Sequence, residues 1–61
     1  MKYKIGDKVI IGKENHSSVW TKVMKRFEGT LMTIRNAYTF DPYYFTEEGY
    51  FIGDEDIEGL A

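Results

Sequence analysis

Few residues in this 61-residue chain have types and spacings that suit chemistry. His16 is the single histidine, and Ser17 and Ser18 follow it directly, so a serine activated by an imidazole would have to come from these neighbours. They lie in a polar loop that lacks a deep pocket to exclude water, which favours an exposed loop histidine over a catalytic pair. The chain has no cysteine, which excludes thiol catalysis and thiolate zinc sites.

A second candidate is the acidic segment around Asp54–Glu58, which is dense enough in carboxylates to suggest calcium. It has neither the twelve-residue loop nor the glycine of an EF-hand, so a solvated acidic turn is the better interpretation. The six glycines stand singly, as turn residues do, and none forms a phosphate-binding loop. The sequence therefore predicts no cofactor, no metal site and no enzymatic activity.

The strongest candidates for function are aromatic rings that stand beside acids. Ten of the 61 residues are aromatic, which is more than the inner face of one small domain can bury. Outward rings anchor a protein partner, and acids beside them attract basic groups. We predict a partner-binding face formed by Tyr43, Tyr44, Glu47, Glu48, Tyr50, Asp54, Glu55 and Asp56. The alternative is that the outward rings pair across strands or cover the ends of the domain.

Charge is divided unevenly along the chain. Residues 1–35 hold all eight basic side chains against three acids, whereas residues 36–61 hold seven acids and no base. This pattern predicts an interaction face of one sign, unless the two halves neutralise each other in the fold. It also leaves nucleic-acid binding open as an alternative, although the net charge of −2 weighs against it. That alternative uses Lys22, Lys25 and Arg26 together with Lys2, Lys4, Lys8 and Lys13.

The elements that must position these side chains are short strands. β-Branched and aromatic runs predict strands at Lys8–Ile11, Thr30–Arg35, Tyr43–Thr46 and Tyr50–Ile52, and a last strand with Ile57 and Leu60. Glu47, Glu48 and Gly49 are typical of a hairpin turn, Asp41 and Pro42 of an earlier turn, and residues 53–56 of one turn of tight helix. Tyr43–Thr46 is also a candidate for a free edge that pairs with a second copy, so the chain is expected to be a monomer or a weak homo-oligomer.

One helix is predicted between the first two strands. The apolar residues of this segment recur at helical spacing and would share one face, with Lys22, Lys25 and Arg26 on the other: Val19, Trp20, Val23, Met24 and Phe27. Ser17 or Ser18 suits its N-cap, and Gly29 suits its C-terminal end.

Five short strands in 61 residues are too few for two packed sheets. We therefore predict a mainly β fold, a small SH3-like five-stranded barrel with a short α-helix inserted between strands 1 and 2. It would form a single domain over residues 1–61. No apolar run approaches the roughly 20 residues of a membrane span, and the absence of cysteine fits a reducing compartment. The sequence thus predicts a soluble, cytoplasmic protein without membrane partners.

Three segments also carry a resemblance. Lys4–Ile11 resembles the opening "K-x-G-D-x-V-x-[VI]" of small SH3-like barrel proteins, many of them encoded by phages and prophages of Gram-positive bacteria. Met24–Gly29, leading to Thr33 and Ile34, is similar to a later segment of that group, and Tyr50–Glu58 is similar to its closing strand and turn. The resemblance implies a barrel fold and a mobile-element origin, with the host cytoplasm as location, but no assigned activity.

These observations combine into one functional expectation. We expect a non-catalytic interaction module, encoded by a phage or mobile element, that binds a host or phage protein of unknown identity, either to inhibit it or to serve as a scaffold. In one form of this hypothesis, an acidic face imitates the charge of nucleic acid and blocks a nuclease or polymerase. This face would consist of Glu47, Glu48, Asp54, Glu55 and Asp56.

Overall fold

The fold is a single open sheet of five antiparallel strands, given by a computed structural model that describes residues 2–40 and 44–61. The strands are β1 (Lys8–Ile11), β2 (Leu31–Ala37), β3 (Tyr44–Thr46), β4 (Phe51–Ile52) and β5 (Ile57–Leu60). Their order across the sheet is β4-β3-β2-β1-β5, so β4 and β5 form the two edges. A mainly β fold is confirmed, whereas pairing between β4 and β5, which would close a barrel, is not found among the described residues.

The core lies on the inner face of this sheet and follows the alternation of the strands. Val9 and Ile11 of β1 and Met32 and Ile34 of β2 are fully buried, with exposed or half-buried residues between them. The remaining buried apolar residues are Met24, Tyr44, Ile52 and Ile57. Every second residue of a strand points to the same face, so the two buried residues of β1 and the two of β2 all lie on the face that covers the core.

The predicted α-helix is wrong in type and extent. The segment forms a 3₁₀ helix over Lys22–Phe27, with Thr21 as its N-cap in place of Ser17 or Ser18. A 3₁₀ helix has three residues per turn, so Val23 lies in the same row as Arg26 and is 65% exposed, while Met24 alone is fully buried. The five apolar residues therefore do not share one buried face.

Several turns follow the sequence prediction. Gly29 ends the 3₁₀ segment at φ +78° and Gly49 turns the β3–β4 hairpin at φ +96°, both in the left-handed region that glycine enters without strain. A second 3₁₀ helix, Asp54–Asp56, forms the predicted single turn before β5. The predicted turn at Asp41 and Pro42 lies outside the described residues.

The predicted free edge is wrong for residues 44–46. β3 pairs with β2 on one side and with β4 on the other, so its backbone is enclosed within the sheet. Among the described residues, the edges of the sheet are β4, with two residues, and β5, with four. A short edge strand is one means by which proteins limit pairing between copies.

Candidate binding groove and the cluster beside it

Asp56 is a fully buried carboxylate that accepts four hydrogen bonds. Its donors are the Ser17 amide at 2.8 Å, the Ser17 hydroxyl, His16 Nδ1 at 2.9 Å and the Gly53 amide at 2.9 Å. An ionised carboxylate is an acceptor only, so four donors match its lone pairs. The prediction of a solvated acidic turn is therefore wrong for Asp56, because its buried side chain accepts hydrogen bonds from the backbone amides of Ser17 and Gly53.

His16 lies between two carboxylates instead of standing exposed in a loop. Its Nδ1 contacts Asp56 and its Nε2 lies 2.8 Å from Glu28 Oε2, while its ring stacks on Trp20 at 3.7 Å between centroids and 2° between planes. Both ring nitrogens of His16 therefore lie within hydrogen-bond distance of a carboxylate oxygen. The Ser17 hydroxyl donates to Asp56, so the neighbouring serine and histidine form no nucleophile and base pair here.

We call these five residues the Asp56 cluster: Asp56, His16, Ser17, Trp20 and Glu28. They come from three parts of the chain: the loop after β1, the end of the first 3₁₀ helix and the turn before β5. The cluster thereby fastens residues 12–30, the long connection between β1 and β2, to the turn beside β4. This attachment matters because the same connection forms one wall of a groove.

The groove is an apolar cavity of about 540 Å³ beside the free edge of β4. One wall comes from the β1–β2 connection and the other from the β3–β4 hairpin, with a ring from the segment after β2 at the end. The lining residues are Val19, Thr21, Met24, Phe40, Gly49, Tyr50 and Phe51. Phe40 is 65% exposed and Phe51 is 46% exposed, so two large rings face solvent here. A cavity of this size suits apolar side chains from a ligand.

A row of rings continues from the groove over the outer face of the hairpin. Tyr38 lies 5.5 Å from Phe40 and 6.4 Å from Phe51, and Phe51 lies 4.8 Å from Phe45, all between ring centroids. Tyr44, between them in sequence, points inward and is fully buried. Part of the predicted cross-strand ring pairing is thus present, yet Phe40 and Phe51 remain substantially exposed.

The predicted partner-binding residues fall into two groups. Tyr50 lines the groove, Glu47 and Glu48 are exposed in the adjoining hairpin turn, and Glu55 is exposed in the second 3₁₀ helix. Glu48 Oε1 also accepts the Thr33 amide at 3.2 Å.

The other group serves the fold. Tyr44 and Asp56 are buried, Asp54 accepts the Tyr44 hydroxyl at 2.7 Å, and Tyr43 lies outside the described residues.

The alternative basic site is exposed on the first 3₁₀ helix. Lys22, Lys25 and Arg26 all face solvent there. The Arg26 guanidinium lies 4.8 Å from the centroid of the Phe27 ring and donates to the Tyr50 hydroxyl at 3.5 Å. Arg26 therefore also stands near the groove.

Sequence reasoning missed the residues of the connection that line the groove, Val19, Thr21 and Met24. A helical spacing placed Val19 and Met24 together, but it did not indicate which hairpin they would face. Phe40 and Phe51 carried a weak signal, since both belong to the excess of aromatic residues in the second half of the chain.

Tyr44 ties the start of the chain to the second 3₁₀ helix. Its hydroxyl donates to Asp54 and accepts the backbone amides of Lys2 at 3.2 Å and Tyr3 at 3.3 Å. Burial, followed by the hydrogen bond to Asp54, raises the pKa of Tyr44 to about 12, although the two amides act in the opposite direction. The phenol is therefore held in its neutral form.

Within the described part of the chain, no group of three or more potential ligand side chains is arranged to hold a metal ion. In the same residues, no helix is long and apolar enough to cross a membrane. No protein-family model, curated protein or solved structure was found to match this chain.

Proposed function

We propose that this chain is a non-catalytic protein-interaction module with an SH3-like architecture, and that its groove binds an extended partner segment. The segment carries apolar side chains that enter the groove and a basic residue that faces the hairpin turn. The observation that carries the proposal is the 540 Å³ apolar cavity walled by exposed Phe40 and Phe51.

The architecture is supported by the order of the strands. β1 pairs with both β2 and β5, and β2 is shared between two halves: its first residues pair with β1 and its last with β3. A long connection follows β1, and a 3₁₀ turn separates β4 from β5. This strand order and these connections support an SH3-like architecture, in which the two edge strands lie close to each other.

The groove suits a protein segment because it offers both strand backbone and the surface of aromatic rings. Phe51 belongs to β4, which pairs with β3 alone among the described residues, so an extended chain would add to its other side. Phe40 and Tyr50 supply ring surface, which is enriched where proteins bind one another. An extended segment lying along β4 would place alternate side chains into the cavity.

The sign of the partner follows from the charges beside the hairpin. Residues 44–61 contain six acids and no base, and Glu47 and Glu48 are exposed next to the groove. The first 3₁₀ helix on the other side carries exposed Lys22, Lys25 and Arg26, and Arg26 reaches the Tyr50 hydroxyl. The basic residue of the partner therefore belongs at the hairpin turn with Glu47 and Glu48. Nucleic-acid imitation is not part of the proposal, since Asp56 is buried and Asp54 is bonded to Tyr44.

Selection from a random peptide display library tests this proposal. We expect enriched peptides to combine aromatic or large aliphatic residues with lysine or arginine. Phe51→Ala should weaken a selected peptide by about 10- to 100-fold, the range of an anchoring ring. Ile5→Ala and Leu60→Ala are matched controls, because both residues are exposed apolar side chains outside the groove, and each should change affinity less than twofold.

Two results would contradict the proposal. One is a selection that enriches no apolar-basic pattern, and the other is a selected peptide that binds Phe51→Ala as well as the unaltered protein. A duplex oligonucleotide titrated over a range of salt concentrations tests the alternative function. Binding that weakens steeply with salt and is lost in Lys25→Gln would favour nucleic acid over the groove.

A further inference from the structure

Arg35 is the extra residue of a β-bulge in the middle of the sheet. Ile34 pairs with Thr46 and Asn36 pairs with Phe45, so Arg35 has no partner position on β3. Bulges redirect a side chain and occur often beside functional sites. The Arg35 side chain is exposed, and no carboxylate of residues 2–40 or 44–61 forms an ion pair with it.

A second depression surrounds this arginine on the outer face of β2, β3 and β4. It has a volume of about 320 Å³ and is lined by Arg35, Asn36, Tyr38, Phe45 and Phe51. We call it the Arg35 site. It differs from the groove in chemistry, because it combines one cation and one amide with three rings, and only Phe51 contributes to both.

These groups complement a planar ring joined to an anion. An unpaired guanidinium binds phosphate oxygens through its fork of donors, and aromatic side chains stack on nucleobases with little regard for sequence. An amide such as Asn36 offers both a donor and acceptor to the edge of a base. A peptide carboxylate would use the arginine but would leave the three rings without a planar partner.

We propose that the Arg35 site binds a nucleotide unit, with its phosphate on Arg35 and its base against Phe45 and Phe51. This inference goes beyond the peptide-binding function and does not depend on it. The unit has two sources, a free nucleotide or one residue of a single-stranded nucleic acid. In either case the phosphate and the base both contribute to binding.

Titration followed by two-dimensional NMR tests the proposal, with adenosine monophosphate, adenosine, ribose 5-phosphate and a short single-stranded oligonucleotide as probes. We expect the monophosphate to shift the amide signals of Arg35, Asn36 and Phe45, and to bind at least tenfold more tightly than adenosine or ribose 5-phosphate. An oligonucleotide that binds more tightly than the monophosphate at the same signals identifies a single strand as the source; equal or weaker binding identifies the free nucleotide.

Three variants separate a built site from a general attraction of charge. Arg35→Gln should weaken the monophosphate at least tenfold, and Phe45→Leu, which keeps an apolar side chain but removes the ring, should weaken it several-fold. Lys13→Gln removes the same charge from an exposed position in the loop after β1 and should change affinity less than twofold. Equal losses in the arginine and lysine variants, ribose 5-phosphate binding as tightly as the monophosphate, or tighter binding of an acetylated peptide with a free carboxylate would overturn the proposal.

Discussion

Replacement of Asp56 by alanine is expected to lower the free energy of unfolding by about 2–6 kcal/mol, because two donors held away from water lose their acceptor and each such loss costs about 1–3 kcal/mol. The change removes the acceptor of four hydrogen bonds, and it leaves the buried amide of Gly53 and the His16 imidazole without this partner. A chain of 61 residues has a total stability of only about 3–9 kcal/mol, so the loss approaches the whole. Urea denaturation followed by tryptophan fluorescence measures it, since Trp20 stacks on His16.

The neighbouring acid provides the control for this prediction. Glu55 lies in the same 3₁₀ turn and is exposed, so Glu55→Ala should change stability by less than about 0.5 kcal/mol. Asp56→Asn keeps the shape but presents an amide donor toward other donors, and it should fall between these two variants. Equal stability of Asp56→Ala and Glu55→Ala would show that the Asp56 cluster does not hold the connection.

Removal of the Tyr44 hydroxyl is expected to cause the second large loss of stability. Tyr44→Phe should lower the free energy of unfolding at pH 7 by about 1–3 kcal/mol, because the buried hydroxyl is lost as the shared partner of Asp54 and of the amides of Lys2 and Tyr3. Thermal denaturation of the two proteins side by side measures the difference. Tyr50→Phe removes a hydroxyl bonded only at 3.5 Å to exposed Arg26, and it serves as the matched control with a much smaller loss.

The same pair of proteins should show a dependence on alkaline pH. Burial is the main reason why the fold raises the pKa of Tyr44 to about 12, from the ordinary tyrosine value of 10.0. The unfolded chain therefore releases this proton first, and the stability that the neutral phenol contributes is complete below pH 10 and is lost as the pH rises through 12. The difference in stability between the unaltered protein and Tyr44→Phe should shrink over that interval. A difference that stays constant from pH 9 to pH 12 would contradict this account of the Tyr44 hydroxyl.

The strands could be predicted because each has a simple local signal. Val9 and Ile11 alternate with Lys8 and Ile10, and Gly49 follows two acids between two aromatic runs. Such patterns depend on neighbours within a few residues, and strands lie at or near all five predicted positions. Closure of a barrel depends on how strongly the sheet bends, which local alternation does not determine.

The helix prediction failed because the spacing of the five apolar residues fits a period of 3.6, whereas the segment adopts a period of three. A period of 3.6 groups Val23 with Met24, whereas a period of three groups Met24 with Phe27 and turns Val23 outward. Met24 is the one residue of the 3₁₀ helix that is fully buried, so contacts with the core fix the orientation of this helix and not the spacing of all its apolar residues.

The Asp56 cluster could not be predicted because its members lie far apart in sequence. His16 and Asp56 are separated by 40 positions and His16 and Glu28 by 12, so no spacing rule joins them. A lone histidine in a polar loop has the same local pattern whether it is solvated or enclosed by carboxylates. Only the return of β5 to pair with β1 brings the turn at Asp56 beside the loop at His16.

The central claim is that the apolar groove between the β1–β2 connection and the β3–β4 hairpin is the surface that binds a protein partner. Nuclear Overhauser contacts between a display-selected peptide and the isotope-labelled protein test it most directly. The account predicts contacts from apolar side chains of the peptide to Met24, Phe40 and Phe51. Contacts confined to the exposed bases of the first 3₁₀ helix, or to Ile5 and Leu60, would contradict it.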